Sequence, residues 1–202
     1  SKENFDIVKR PISRNMIKGL AIVKKAAAKA NCEAGLIDSK VCDAICMTCD
    51  EILNGRLHGQ FITDLIQGGA GTSINMNANE VIANRANEML GGKKGEYNFV
   101  HPIDTVNLSQ STNDVIPTVG KIATIKLTKK LLTEMKKLVG AYQDLEKKYE
   151  NVVTVSKTHL QDSVLITFGQ IFKAIKNSVE RDMKNIESSI QELLEVNIGG
   201  TL

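Results

Sequence analysis

From Thr112 to Glu150 the sequence holds little that would stop a helix: Pro117 falls in the first turns, and the glycines are Gly120 and Gly140. Within this stretch Leu131, Met135, Leu138, Tyr142, Leu145 and Tyr149 follow at intervals of 4-3-4-3-4, the heptad-like spacing of a packed helical seam. A comparable seam, Phe168, Phe172, Ile175, Val179, Ile186, Ile190 and Leu193, runs to about Val196 after a short link. At about 1.5 Å per residue these are helices roughly 45–60 Å long. One copy cannot easily bury such seams by itself, so a bundle completed by other subunits is expected.

The first half predicts shorter helices. One spans Ser13 to Ala30 and another Ser39 to Asn54, with Ser39 as N-cap and Gly35 and Gly55 as stops. Gln67-Gly68-Gly69-Ala70-Gly71-Thr72-Ser73 is too glycine-rich for a helix interior. A helix resumes near Asn77 and ends at about Leu90 before Gly91-Gly92, and a loop follows from Lys93 to Gln110. The fold class is all-α.

The net charge is +3 over 202 residues, too small to imply a nucleic-acid or membrane partner. Lys129-Lys130, Lys136-Lys137 and Lys147-Lys148 alternate with apolar residues and read as a solvated helix face. No apolar run is long enough to span a bilayer and no signal peptide opens the chain, so cytoplasmic residence is the expected default. The chain begins at Ser1 without methionine and ends at Gly199-Gly200-Thr201-Leu202, and both ends look cut. Cys42, Cys46 and Cys49 have the C-x3-C-x2-C spacing with which radical enzymes hold iron–sulfur clusters. Cluster ligands need a loop, however, and here a helical period runs through the segment. The three fall on one helix face and read as small buried apolar residues. There is no metal cluster, phosphate-loop motif or dinucleotide fingerprint.

Three polar segments, rich in hydroxyls and amides, interrupt this helical pattern beside helix starts. They are Gly71-Thr72-Ser73-Ile74-Asn75-Met76-Asn77, Ser109-Gln110-Ser111-Thr112-Asn113-Asp114 and Lys157-Thr158-His159-Leu160-Gln161-Asp162-Ser163. Ser111 and Asp114 resemble a capping box, and a helix starting there would aim free N–H groups and partial positive charge at an anion such as a carboxylate. Each segment alone is better explained as plain capping; three together point to a binding site. His159 could shuttle a proton or hydrogen-bond an amine, or it could be a satisfied structural histidine. His58, in a glycine-rich turn, reads as structural.

At these same residues the chain resembles the aspartase/fumarase superfamily. Gly69–Val81, Val106–Asp114 and Thr158–Asp162 look like three successive family segments, in order and across nearly the whole chain. The forms G-G-A-G-T-S and S-Q-S-T-N-D resemble the aspartase branch more than the fumarase branch. The resemblance implies an N-terminal helical domain over residues 1–110. It also implies that residues 111–202 open a central long-helix bundle, shared in a homotetramer whose active sites draw on three subunits. It implies reversible loss of ammonia from L-aspartate, a small dicarboxylate, to give fumarate, with no metal or organic cofactor. Thr72, Ser111 and Thr112 would stabilise an enediolate-like intermediate. Asn113 and His159 would hold the departing amino group, and Thr158 the other carboxylate. The family's catalytic serine loop, G-S-S-x-M-P-x-K-x-N, does not occur in these 202 residues, so the chain by itself is expected to be inactive.

Some positions depart from the family pattern. Ser156-Lys157 stands where Gly-Arg is usual, Leu165 where proline is usual, and Ile103 where the fumarase-type second carboxylate site has a polar residue after His101-Pro102. The rival readings are a class II type fumarate hydratase, a helical scaffold without ligand binding, and an iron–sulfur enzyme.

Overall fold

The structure, a computed structural model, describes residue 3 and residues 6–199. Ser1 and Gly200-Thr201-Leu202, read above as parts of cut ends, lie outside the described residues. Five helices dominate: α1 (Arg14–Glu33), α2 (Ser39–Leu53), α3 (Thr72–Met89), α4 (Thr112–Lys148) and α5 (Phe168–Glu192). Between α4 and α5 lies an antiparallel hairpin, β1 (Val153–Thr158) and β2 (Gln161–Thr167). The chain divides into two compact units. The first runs to Thr124 and takes in the stretch from Glu195; the second is Ile125–Leu194.

In the first unit α1 begins where Ser13 Oγ accepts from Met16 N at 3.3 Å. It runs past Ala30 to Glu33, then turns at Gly35, whose φ of 73° suits glycine. The cap of α2 is Asp38 rather than Ser39: its carboxylate accepts from Lys40 N at 2.8 Å, and Ser39 becomes the first helical residue. A carboxylate at this end also suits the helix dipole. Helix α3 starts at Thr72, not near Asn77, because Gly71 takes a φ of 87° that lets the chain enter the helix straight from the glycine-rich turn. The loop expected from Lys93 to Gln110 contains a π-helical turn, Pro102–Val106.

Leu20, Ile45, Ile52, Ile82, Ala83, Ala86, Val100, Val115 and Val119 fill the core of this unit from four helices and the loop. Gly19 lets α1 approach α4 closely, since a Cβ there would sit 2.9 Å from Val119 Cγ1. Asn87, 1% exposed, ties the loop to α3. Its Nδ2 donates to the Ala83 and Val100 carbonyls at 2.8 and 2.6 Å, and its Oδ1 accepts from Phe99 and Val100 N at 3.0 and 3.2 Å. Cys42 and Cys49 are buried on α2, and burial pushes the Cys49 thiol up to about 12, so it stays neutral. Among the described residues no cluster of His, Cys, Asp or Glu is arranged to hold a metal ion.

The second unit is the far part of α4 with the hairpin and α5. Tyr142 and Tyr149 pack on Phe172 at ring-centroid distances of 6.3 and 5.9 Å, and Lys176 pairs with Glu146 at 2.6 Å. Gly169 is required where α5 begins: a Cβ would lie 2.7 Å from Glu150 Cα, a backbone atom that cannot turn aside. Only part of the expected seam is covered. Tyr142, Tyr149 and Phe172 are half-buried, whereas Leu131, Leu138, Phe168 and Ile175 remain exposed, and the buried Leu132 and Met183 lie outside the seam. Helix α5 ends at Glu192 rather than about Val196 and is roughly 38 Å long, below the expected range. No described helix is long and apolar enough to cross a membrane.

The hairpin is what the helical periodicity does not foresee. Val152 to Thr167 is rich in β-branched residues, and Thr158 pairs with Gln161, leaving a two-residue turn at His159 and Leu160. Both turn residues take left-handed backbone, φ 49° and 64°, the geometry for which Asn-Gly is the usual signal.

Candidate active site

The site in the first unit is built by two helix starts. At α4, Ser111 Oγ accepts from Asn113 N at 3.1 Å while the Asp114 carboxylate accepts from Ser111 N at 3.0 Å, a reciprocal cap. At α3, Gly71 packs so closely on α4 that a Cβ would meet Ile116 at 3.3 Å. One turn into α3, Asn75 Nδ2 donates to Thr112 Oγ1 at 3.1 Å. The first turns of α3 and α4, carrying Thr72 and Ser111-Thr112-Asn113, are thus held together. Among the described residues the N–H groups of Thr72, Ser73 and Thr112 have no protein acceptor. Two adjoining helix N-termini concentrate partial positive charge and unpaired donors, the setting for a carboxylate.

The hydroxyls are prepared in the same sense. Ser111 Oγ and Thr112 Oγ1 each already accept a protein hydrogen bond. Each retains its own O–H hydrogen, free to be donated to an oxyanion.

Behind Thr112 lies a buried polar cluster centred on Lys24, which is fully buried in α1. Its Nζ donates to Asn107 Oδ1 and Gln110 Oε1, both at 3.0 Å. Asn107 Oδ1 also accepts from Asn75 and Asn79 Nδ2 at 3.1 Å each. The neighbouring Lys25 is different, pairing with Asp50 at 2.6 Å near the surface. Lys24 has no carboxylate partner among the described residues, and burial pulls its ammonium down to about 7. Cys49 could hold that charge up only as a thiolate, which its own burial prevents.

The sign of the resulting pH effect follows. The unfolded lysine stays protonated up to about 10.5 while the folded one loses its proton from about 7, so between these values the unfolded state binds more protons. Stability contributed at this position therefore rises with pH across that window. Relative to Lys24→Met, the wild type should gain about 2 kcal/mol between about pH 7 and 8.5. Parallel urea titrations of the two proteins would measure it, and a flat difference would mean that Lys24 titrates normally.

Thr158 and His159 stand on the hairpin of the second unit, exposed, not on the elements that carry the other four candidates. The left-handed turn costs roughly 1–2 kcal/mol per non-glycine residue, and strain of this kind concentrates at functional sites. Leu160 at its tip is 96% exposed, and Leu165 is exposed as well. Ser156, in the departing pair, donates to Val164 O at 2.9 Å and accepts from Val164 N at 3.1 Å, and Lys157 pairs with Asp162.

The other histidines are engaged in the fold. A ring nitrogen of His58 lies 2.9 Å from Ile52 O, and His101 Nδ1 caps the π-helical turn by accepting from Ile103 and Asp104 N at 3.3 and 3.1 Å. Sequence reasoning missed Lys24, Asn75 and Asn107. The available signal was a lysine inside the buried stripe Ile17, Leu20, Ala21, Lys24, Ala28 of α1.

The profile of the lyase family matches residues 3–202. Aspartate ammonia-lyase of Bacillus subtilis (strain 168) is 50% identical over 201 residues, covering 100% of this chain and 42% of that protein. Aspartate ammonia-lyase of Escherichia coli (strain K12) is 43% identical over 202 residues, again 42% of its length. The chain therefore spans less than half the length of these relatives. Among solved structures, fumarate lyase:delta crystallin from Brucella melitensis superposes with a TM-score of 0.92 at 42% identity, over 98% of this chain and 46% of that one. Class II fumarase from Schistosoma mansoni gives 0.91 at 32% identity, over 98% and 42%. Matched from end to end in sequence and in fold, the chain belongs to the lyase family, within the aspartase/fumarase superfamily.

Proposed function

We propose that the full-length protein carrying this chain is an aspartate ammonia-lyase, interconverting L-aspartate with fumarate and ammonia. The observation that carries the reading is the pair of adjoining helix starts whose Ser111 and Thr112 hydroxyls already accept protein hydrogen bonds and keep their hydrogens for donation. A base removes a proton from the carbon beside the side-chain carboxylate, and negative charge accumulates on that carboxylate as an enediolate. Donors fixed in advance around it stabilise the charge without rearranging. Thr72, Ser111 and Thr112 take this role, Asn113 and His159 hold the amino group, and Thr158 binds the other carboxylate.

The base itself is not among these residues: no G-S-S-x-M-P-x-K-x-N segment occurs in the sequence. In this reading residues 1–110 form the N-terminal helical domain and residues 111–202 open the central bundle. The exposed seam and hairpin residues Leu131, Leu138, Leu160 and Leu165 meet other copies in a homotetramer. The reaction calls for no metal or organic cofactor, and the enzyme works in the cytoplasm.

The test is fumarate absorbance with the full-length protein, given L-aspartate and, separately, L-malate. Fumarate from aspartate alone is the expected result. Fumarate from malate alone would move the protein to the fumarate hydratase reaction. No product from either would overturn the aspartate ammonia-lyase reading and point to another lyase substrate or to a site disabled by the departures at Ser156, Lys157 and Leu165. The 202-residue chain alone should produce none.

A further inference from the structure

Hydrogen bonds have a direction, and in the cluster behind Thr112 that direction is fixed from one end. Asn107 cannot turn its amide over. Its Oδ1 faces Lys24 Nζ, a donor, and its Nδ2 faces the Gln110 carbonyl at 2.9 Å, which only accepts. Gln110 is equally fixed, with Oε1 on Lys24 and Nε2 donating to Val106 and Leu108 carbonyls at 2.9 and 3.1 Å. Because Asn107 presents oxygen, Asn75 must present its NH2 group to it. The same Nδ2 then reaches Thr112 Oγ1. Thr112 can therefore only accept from Asn75, and its own hydrogen must point elsewhere. The arrangement leaves a visible mark: Asn75 Oδ1 and Asn79 Oδ1 are buried with no hydrogen-bond partner. Turning either amide over would place oxygen against Asn107 Oδ1, so the orphaned oxygens are the consequence of one enforced direction.

We propose that Lys24, Asn107 and Asn75 are positioning residues, a one-way relay that turns the Thr112 hydroxyl hydrogen toward the bound carboxylate. The proposal rests on the reading of this site as a carboxylate site and adds what aims its donor.

A double-mutant cycle in the full-length protein tests it. Asn75→Asp keeps the shape but offers Thr112 an acceptor, which draws the hydroxyl hydrogen inward. It should lower kcat as far as Thr112→Val does, roughly 10²–10³-fold, with KM moving far less. Lys24→Met removes one of the two contacts that hold Asn107 in this direction, leaving only the Gln110 carbonyl, and should lower kcat about tenfold. In a Thr112→Val background neither change should reduce kcat further, because the hydroxyl they act through is already gone. A general structural role would instead multiply the losses, and multiplied losses overturn the relay, as does an unchanged kcat in Lys24→Met. If Asn75→Asp does not fold, the Lys24→Met arm decides alone. If the wild type makes fumarate from neither substrate, the functional reading falls, and the relay is judged by hydrogen–deuterium exchange of residues 107–113. Faster exchange there in Lys24→Met supports it, and unchanged exchange overturns it.

Discussion

Thr112→Val in the full-length protein is expected to cut kcat/KM for L-aspartate by roughly 10²–10³-fold, about 3–4 kcal/mol of transition-state stabilisation. Valine has nearly the shape of threonine, so the N-terminus of α4 and its cap from Ser111 and Asp114 should persist. What disappears is one O–H donor. Asn75 Nδ2 loses its contact with Thr112 but still donates to Asn107 at 3.1 Å, which limits the structural cost. Ground-state substrate carries a full carboxylate charge and the enediolate more, so the loss should fall mainly on kcat. Steady-state kinetics by fumarate absorbance gives both parameters. A kcat within about threefold of wild type would remove Thr112 from the oxyanion role.

Asn87→Leu should be the most damaging substitution for the fold of the first unit, lowering unfolding free energy by about 4 kcal/mol. Four hydrogen bonds vanish at a residue with 1% exposure. The N–H groups of Phe99 and Val100 and the Val100 carbonyl lose the side chain that satisfied them. Each unpaired buried polar group costs about 1–3 kcal/mol, against a typical total stability of about 5–15 kcal/mol. Urea denaturation measures the change, with Asn98→Ala as the exposed neighbouring control. A loss under about 1 kcal/mol would show that the 99–100 segment is held by other contacts.

Much of this protein is legible in the sequence because its helices declare themselves locally. Ser13 caps α1, Gly35 ends it, and the Ser111–Asp114 pattern opens α4 where expected. The failures have physical causes. Helix α3 starts five residues before the position its pattern predicts, because a glycine-rich run reads as a loop although Gly71 serves as the entry to the helix. The hairpin escaped notice because His159-Leu160 adopts a turn that sequence usually marks with Asn-Gly. At the site, the hydroxyls were visible as motif residues. Their hydrogen-bond direction was not, since it depends on contacts between residues 24, 75, 107 and 112 that no local pattern reveals.

The two unpartnered amide oxygens of Asn75 and Asn79 also bear on protein engineering. A search for stabilising changes would single out such buried polar atoms first and replace them with apolar residues, with a gain in thermal tolerance as the result. Replacing Asn75 in this way would remove the amide that, in the proposed relay, sets the direction of the Thr112 hydroxyl. The relay would then set stability and turnover against each other at Asn75, and variants selected for heat resistance alone would drift toward inert proteins that fold well.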